Sequence, residues 1–251
     1  MIKSHKAIKK DPLISSIVEI LFSNNFPTHE VFPGYLFSKL PGSNKSIHQL
    51  PGAFSVAPEL TPQAQHMPMT RLEWNQYHIN FSKHSIMISH EMGQAGWDGC
   101  KSVIAEVIKA LKDIEINAGI ERYSVKNVYF FPNTPLEATK INTSKLNINI
   151  QLADFNLEKE VFHLRTELSL DDFIHIIQIA SSASIQLNDK AKKGIIVDVD
   201  TLRVLSGLGA HHLLEELDQH LNRLHSANKN IFLKTLKTKT IQEFNLETTE
   251  E

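Results

Sequence analysis

Asp198 and Asp200 stand two positions apart in an otherwise apolar run, GIIVDVDTL (residues 194–202), and hold the most chemical promise in this sequence. Along an extended strand successive side chains alternate between faces, so Ile195, Val197 and Val199 share one side and both carboxylates the other. Two carboxylates that close can share a divalent cation or a proton, which is the raw material of general acid–base chemistry. The plainer alternative is a strand whose polar face sets acids beside basic neighbours.

The run is similar to the opening of haloacid-dehalogenase-type phosphatases, an apolar strand followed by Asp-x-Asp-x-Thr. Here Thr201 directly follows the second Asp, one position too early, and the run lies far from the start of the chain. A metal-dependent hydrolase acting on a phosphoester or nucleotide would use Asp198 and Asp200, assisted by His211 or His212. The chain has thirteen histidines. On a helix, His212, Glu216 and His220 would line one exposed stripe, with His211 and Glu215 as a parallel pair. Zinc-protease helices place two histidines four apart with a Glu beside the first, so this spacing reads as a solvated helix face. His78, His84 and His90 fall around one predicted hairpin without making a ligand set.

Nucleophiles are no better supported. Cys100 falls in the first turn of a predicted helix, where the dipole would lower a thiol pKa, yet its position in the apolar stripe points it into the core. There is no Gly-x-Ser-x-Gly, and the SGLG at residues 206–209 lacks the lysine of a phosphate-binding loop. No catalytic residue, cofactor or metal is therefore expected, and the sequence weighs against an enzyme. Lys229, Lys234, Lys237 and Lys239 give a predicted last strand a basic edge, suited to deterring edge pairing or meeting an acidic partner.

Positioning these residues falls to a unit that occurs twice: two apolar strands, an amphipathic helix and a further strand, over residues 71–131 and again over 183–239. In the first helix, residues 98–113, Asp98 is the predicted N-cap, and Cys100, Val103, Ile104, Val107, Ile108 and Leu111 recur at three and four. The second, residues 209–227, buries Leu213, Leu214, Leu217, Leu221 and Leu224 in the same way. The expected fold is α+β, with two pseudo-repeated halves, each an antiparallel sheet packed against one long amphipathic helix. The halves would be residues 1–135 and 136–251, divided at Pro132 and Pro135.

Leu13 to Phe22 predicts a strand covered on both faces. Pro27, Pro33, Pro41, Pro51, Pro58, Pro62 and Pro68 make residues 23–70 loop-rich, with a helical turn at 35–40 and an irregular excursion over 41–70. A switch of apolar phase between Trp74 and Tyr77 predicts a bulge at Asn75 or Gln76. Residues 146–152 alternate as a strand, Asp171 or Asp172 would cap a short helix through Ala180, and residues 230–239 would close the second unit as a strand.

Composition narrows the partners. A net charge of −2 from 26 basic and 28 acidic residues gives no global field for nucleic acid or an anionic membrane, so neither is an expected partner. The single cysteine excludes an internal disulfide and fits a reducing compartment. No apolar run approaches the roughly 20 residues that cross a bilayer. Residues 1–10 lack the apolar core of a signal peptide, and the expected location is cytoplasmic.

PLISSIVEILF (residues 12–22), GWDGCKSVIAEVIKAL (96–111), GIERYSVKNVYFFP (119–132), IIVDVDTLR (195–203) and LNRLHSANKNIF (221–232) together resemble a sporadically distributed, uncharacterised prokaryotic family of similar length. The chain departs from that family before Asn127, reading Ser-Val where the family tends to show Arg-Tyr. The resemblance implies no activity and no site residue; a patchy distribution implies mobile elements or defence loci. The leading expectation is thus a non-enzymatic interaction or regulatory subunit with a protein partner, either a neighbouring effector or a second copy. The metal-dependent hydrolase and a small-molecule sensor are the alternatives.

Overall fold

Alternation along the long strands builds one sheet that places its helices on a single face. The structure is a computed structural model describing residues 12–23, 26–49, 68–91, 97–112, 119–133, 143–156, 160–187, 190–205 and 215–246. Strand β1 (Leu13–Phe22) and helix α1 (Thr28–Lys39) precede β2 (Lys45–Gln49), β3 (Thr70–Trp74), β4 (Tyr77–Phe81) and β5 (Ser85–Glu91). Helix α2 (Trp97–Lys112) and β6 (Ile120–Pro132) come next. After a 3₁₀ turn (Thr143–Lys145) and a minimal hairpin of β7 (Gln151–Leu152) and β8 (Phe155–Asn156) come β9 (His163–Leu170), β10 (Phe173–Leu187) and β11 (Lys190–Val204). Helices α3 (Leu217–Lys234) and α4 (Thr238–Phe244) end the described chain.

Nine strands form one antiparallel sheet in the order β2-β3-β4-β5-β1-β6-β11-β10-β9, which puts the first strand at its centre. Two hairpins close on residues in the left-handed region, Asn75 at φ 55° and Asp171 at φ 52°, types that tolerate this backbone well. Beyond them, the close pairing of β6 and β11 needs Gly194. A Cβ there would collide with the Phe131 carbonyl oxygen and the Phe130 ring.

On the helix face, Val18, Ile20, Phe22, Ile79, Ile86 and Val125 pack with α1, α2 and the first half of α3. Tyr129, Phe131, Ile177, Val197 and Val199 pack with Ile231, Phe232 and Leu233 from its second half. Helix α3 therefore bridges two apolar clusters. Asn228, wholly buried, lies between them and bonds across the sheet.

The α+β class agrees with the sequence, as do β1, the extent of α2, and the end of β6 at Pro132. The sheet runs unbroken across the expected boundary, since β6 and β11 pair from Pro132↔Gly194 to Arg122↔Val204. Other local expectations are corrected. Residues 230–239 are not a strand: α3 runs to Lys234 and α4 begins at Thr238, so the four lysines lie on helices and their junction. The helix expected from Asp171 or Asp172 is the β9–β10 turn and the start of β10. Asn75 and Gln76 form a two-residue turn in place of a bulge. Residues 146–152 hold only an isolated Leu146↔Leu236 bridge and the short β7. Helix α1 starts well before the turn expected at 35–40, and β2 lies inside the expected excursion. Among the described residues, no helix is long and apolar enough to cross a membrane.

Candidate functional site

The face of the sheet opposite the helices carries the charged residues that β1, β6 and β11 contribute. Register decides which of them meet. On β6, Lys126 lies opposite Asp200 and Val128 opposite Asp198, while on the other side Lys126 lies opposite Ile17 and Ser124 opposite Glu19. Side chains of one face in adjacent and diagonal positions are within reach of each other. Lys126 Nζ accordingly sits 2.8 Å from Asp198 Oδ2, and Arg122 Nη2 lies 3.1 Å from Glu19 Oε2. Gln178 on β10 adds a longer hydrogen bond to Asp198 Oδ2, at 3.4 Å.

The acids are less solvated than the cations. Asp198 exposes 13% of its side chain, against 32% for Lys126. Among the described residues, Asp198 Oδ1, Asp200 Oδ1 and Arg122 Nε are buried with no hydrogen-bond partner. Burial raises the Asp198 pKa above its ordinary value, outweighing the downward pull of Lys126. Asp200 is pushed up to about 6, first by burial and further by the negative charges of Asp198 and Glu19, with Lys126 and Arg122 pulling down. Fully ionised, three carboxylates and two cations leave one excess negative charge; a proton on Asp200 removes it.

Such a site can hold or release a proton near neutral pH. As a metal site it is poorly arranged, because Asp198 already faces an ammonium and Glu19 a guanidinium. Among the described residues, no group of three or more His, Cys, Asp or Glu side chains could hold a metal ion. The structure thus places Asp198 and Asp200 together on one face, as the alternation predicts, though half-buried among cations. His211 and His212, and the SGLG run, lie outside the described residues.

Other candidates disperse. Cys100 is buried, and burial pushes its thiol up to about 12, the opposite of an activated nucleophile. His220 lies 3.6 Å from Glu216, and its Nδ1 meets the Tyr123 hydroxyl at 3.2 Å, so it turns partly inward and not onto a fully solvated stripe. His90 is buried edge-on to Tyr77, opposite it in register, whereas His84 occupies the turn at the far end of the β4–β5 hairpin.

Sequence reasoning missed Glu19, Arg122 and Lys126 as partners of the two aspartates. Glu19 is the one charge of its strand, a detectable anomaly, whereas Arg122 and Lys126 share β6 with Glu121, and only the pairing register brings the three together. It also missed a neutral network on the opposite face, in which Ser16, Asn127, Asn228, Thr201 and His175 are linked by hydrogen bonds of 2.7–3.1 Å. No family model matches the chain, and no curated protein matches it.

Proposed function

We propose that this protein is a non-enzymatic interaction or regulatory subunit that works with a protein partner in a bacterial phage-defence or toxin-antitoxin-like system. The observation supporting this reading is that Lys126 and Arg122 are each ion-paired to a carboxylate within the fold, so neither is left to hold a ligand, and the described residues include no metal-ligand set. The resemblance to a sporadically distributed prokaryotic family and a cytoplasmic setting belong to the same reading. So does a division into two pseudo-repeated halves, each offering one amphipathic helix, α2 or α3, to the shared sheet. Co-expression with the products of the adjacent genes tests it: a stoichiometric complex is expected. A protein that purifies without partner and turns over a nucleotide or phosphoester overturns it.

Two other readings each have an observation in their favour. Asp198 and Asp200, at alternate positions on one face of β11, favour the metal-dependent hydrolase. Wild type and Asp198→Asn assayed with Mg²⁺ and Mn²⁺ decide it, since equal signals from both reject that role. A cavity of about 270 Å³ beside α3, lined by Phe173, His175, Arg223, Asn230 and Lys234, favours a small-molecule sensor. A nucleotide messenger bound there at 100 times its Kd would add roughly 2.7 kcal/mol in a thermal-shift measurement.

A further inference from the structure

The two ends of the sheet are built differently. At one end β2 is five residues long, and its Lys45 Nζ is drawn onto the Phe37 and Leu40 carbonyls at 2.7 and 2.6 Å. At the other, β9 is eight residues of HLRTELSL with no proline or lysine to discourage pairing. It is exposed at His163, Arg165 and all of residues 167–170, with Leu168 at 39% and Leu170 at 43%, while Leu164 and Thr166 are half-buried.

The β9–β10 ladder settles which backbone groups point outward. Ser181 N–H donates to the Phe162 carbonyl at 3.1 Å, and His163 to Leu170 pair with Ala180 to Phe173. Hydrogen-bonded and non-hydrogen-bonded pairs alternate along an antiparallel ladder. Even-numbered residues of β9 therefore turn their N–H and C=O groups toward β10. His163, Arg165, Glu167 and Ser169 turn theirs outward, where β9 is the last strand of the order.

We infer that β9 is a self-association edge, on which a second copy of this chain pairs β9 with β9 antiparallel about a two-fold axis at Thr166. In that register Arg165 lies opposite the second copy's Glu167, and His163 opposite its Ser169. All four are hydrogen-bonding positions, so every outward N–H and C=O of β9 finds a partner. The helix-side stripe matches as well, with Leu164 opposite Leu168 and Thr166 opposite itself. Moving the axis by one residue puts Arg165 opposite Arg165 or Glu167 opposite Glu167, and like charges directly opposed are destabilising. Charge thus selects one register from those the backbone permits. The result is one continuous sheet with the helices of both copies on the same face.

This surface is separate from the Asp198–Asp200 cluster; the inference rests on the partner reading in its second-copy form, and its failure would leave that reading with a neighbouring effector. Light scattering on the full chain should give twice 28.4 kDa for the wild type. Arg165→Glu alone and Glu167→Arg alone should each give the single-chain mass, because each opposes like charges. An equimolar mixture of the two variants should return to the doubled mass, since each then offers what the other lacks; Arg165→Glu/Glu167→Arg in one chain should do the same. The mixture also separates a lost interface from a misfolded variant. A wild type that stays at the single-chain mass overturns the inference and leaves the edge to a strand from another protein. A doubled mass that survives either single reversal, or a mixture that stays at the single-chain mass, overturns it too.

Discussion

Strands β6 and β11 carry a buried polar cluster on each face, and the two differ in completeness. On the helix face, Asn228 donates to the Val125 and Val199 carbonyls at 2.9 and 2.8 Å, accepts from Asn127 at 2.9 Å, and meets Thr201, which contacts His175. Every member is neutral or, like His175, held toward its neutral form by burial. On the other face, Asp198 Oδ1 and Asp200 Oδ1 are buried without hydrogen-bond partners, and burial outweighs the cations beside them. Satisfied buried networks fix position, whereas a half-satisfied one retains free energy that a proton or partner can release. The helix face locates α3; the open face has capacity to respond.

Breaking the complete network should have the largest effect. Asn228→Leu keeps the branched side-chain outline but leaves Asn127 Nδ2 and strand carbonyls without their partner, at a cost of about 3 kcal/mol. Urea unfolding measures this, and a loss below about 1 kcal/mol would mean that α3 is held by its leucines alone. The same residue explains a sequence-reading error. Leu217, Leu221, Leu224, Asn228 and Ile231 form one buried stripe of α3, and the polar member within it makes the helix look finished at residue 227. Residues 230–239 then read as a strand.

Lys126→Met comes next. It removes the cation 2.8 Å from Asp198 while leaving both aspartates half-buried, and should cost about 2 kcal/mol at neutral pH, less than a fully buried pair because Lys126 is a third exposed. The loss should shrink on acidification as the carboxyls take up protons. A variant equally destabilised at pH 4 and pH 7 would show that the lysine acts through packing of its stem. Local patterns carried much of this region: alternation places Asp198 and Asp200 on one face, and periodicity accounts for β1 and α2. What alternation cannot supply is the neighbouring strand, and so Lys126, 72 to 74 positions away in sequence, was invisible as their counter-ion. Asp171 failed for a different reason. An aspartate serves a helix N-cap and a left-handed turn equally well, and only the partner strand decides.

A smaller effect separates the faces by pH. Asp200 has its pKa raised from 3.8 to about 6 in the fold, so the native state holds a proton that the unfolded chain has released. Its contribution is complete below pH 3.8 and is lost as pH rises through about 6. Asp200→Asn should therefore be more stable than wild type above pH 6, by on the order of 1 kcal/mol once partial exposure is allowed for, and should lack this slope. A variant that keeps the slope would place the titration on another group.

The helix side should show the opposite sign. His225 on α3 stacks on Trp97 of α2 with ring centroids 4.0 Å apart and planes within 4°. Burial first, and then the Lys229 charge, lower its pKa from 6.5 to about 4, with Asp98 pulling the other way. Its contribution is complete above pH 6.5 and is lost as pH falls through about 4, because the unfolded chain takes up the proton first. His225→Phe keeps a flat ring against Trp97 and removes the ionisable group, so it should differ little from wild type at pH 7 and resist acid better below pH 6. Between pH 4 and 6 the His225 and Asp200 slopes oppose each other and partly cancel in the wild type. Each single variant should expose the slope that the other residue supplies: stability falling with pH in His225→Phe, rising with pH in Asp200→Asn. If both variants instead tilt the same way, the α2–α3 contact and the open face do not titrate independently, and the separation of the two faces fails.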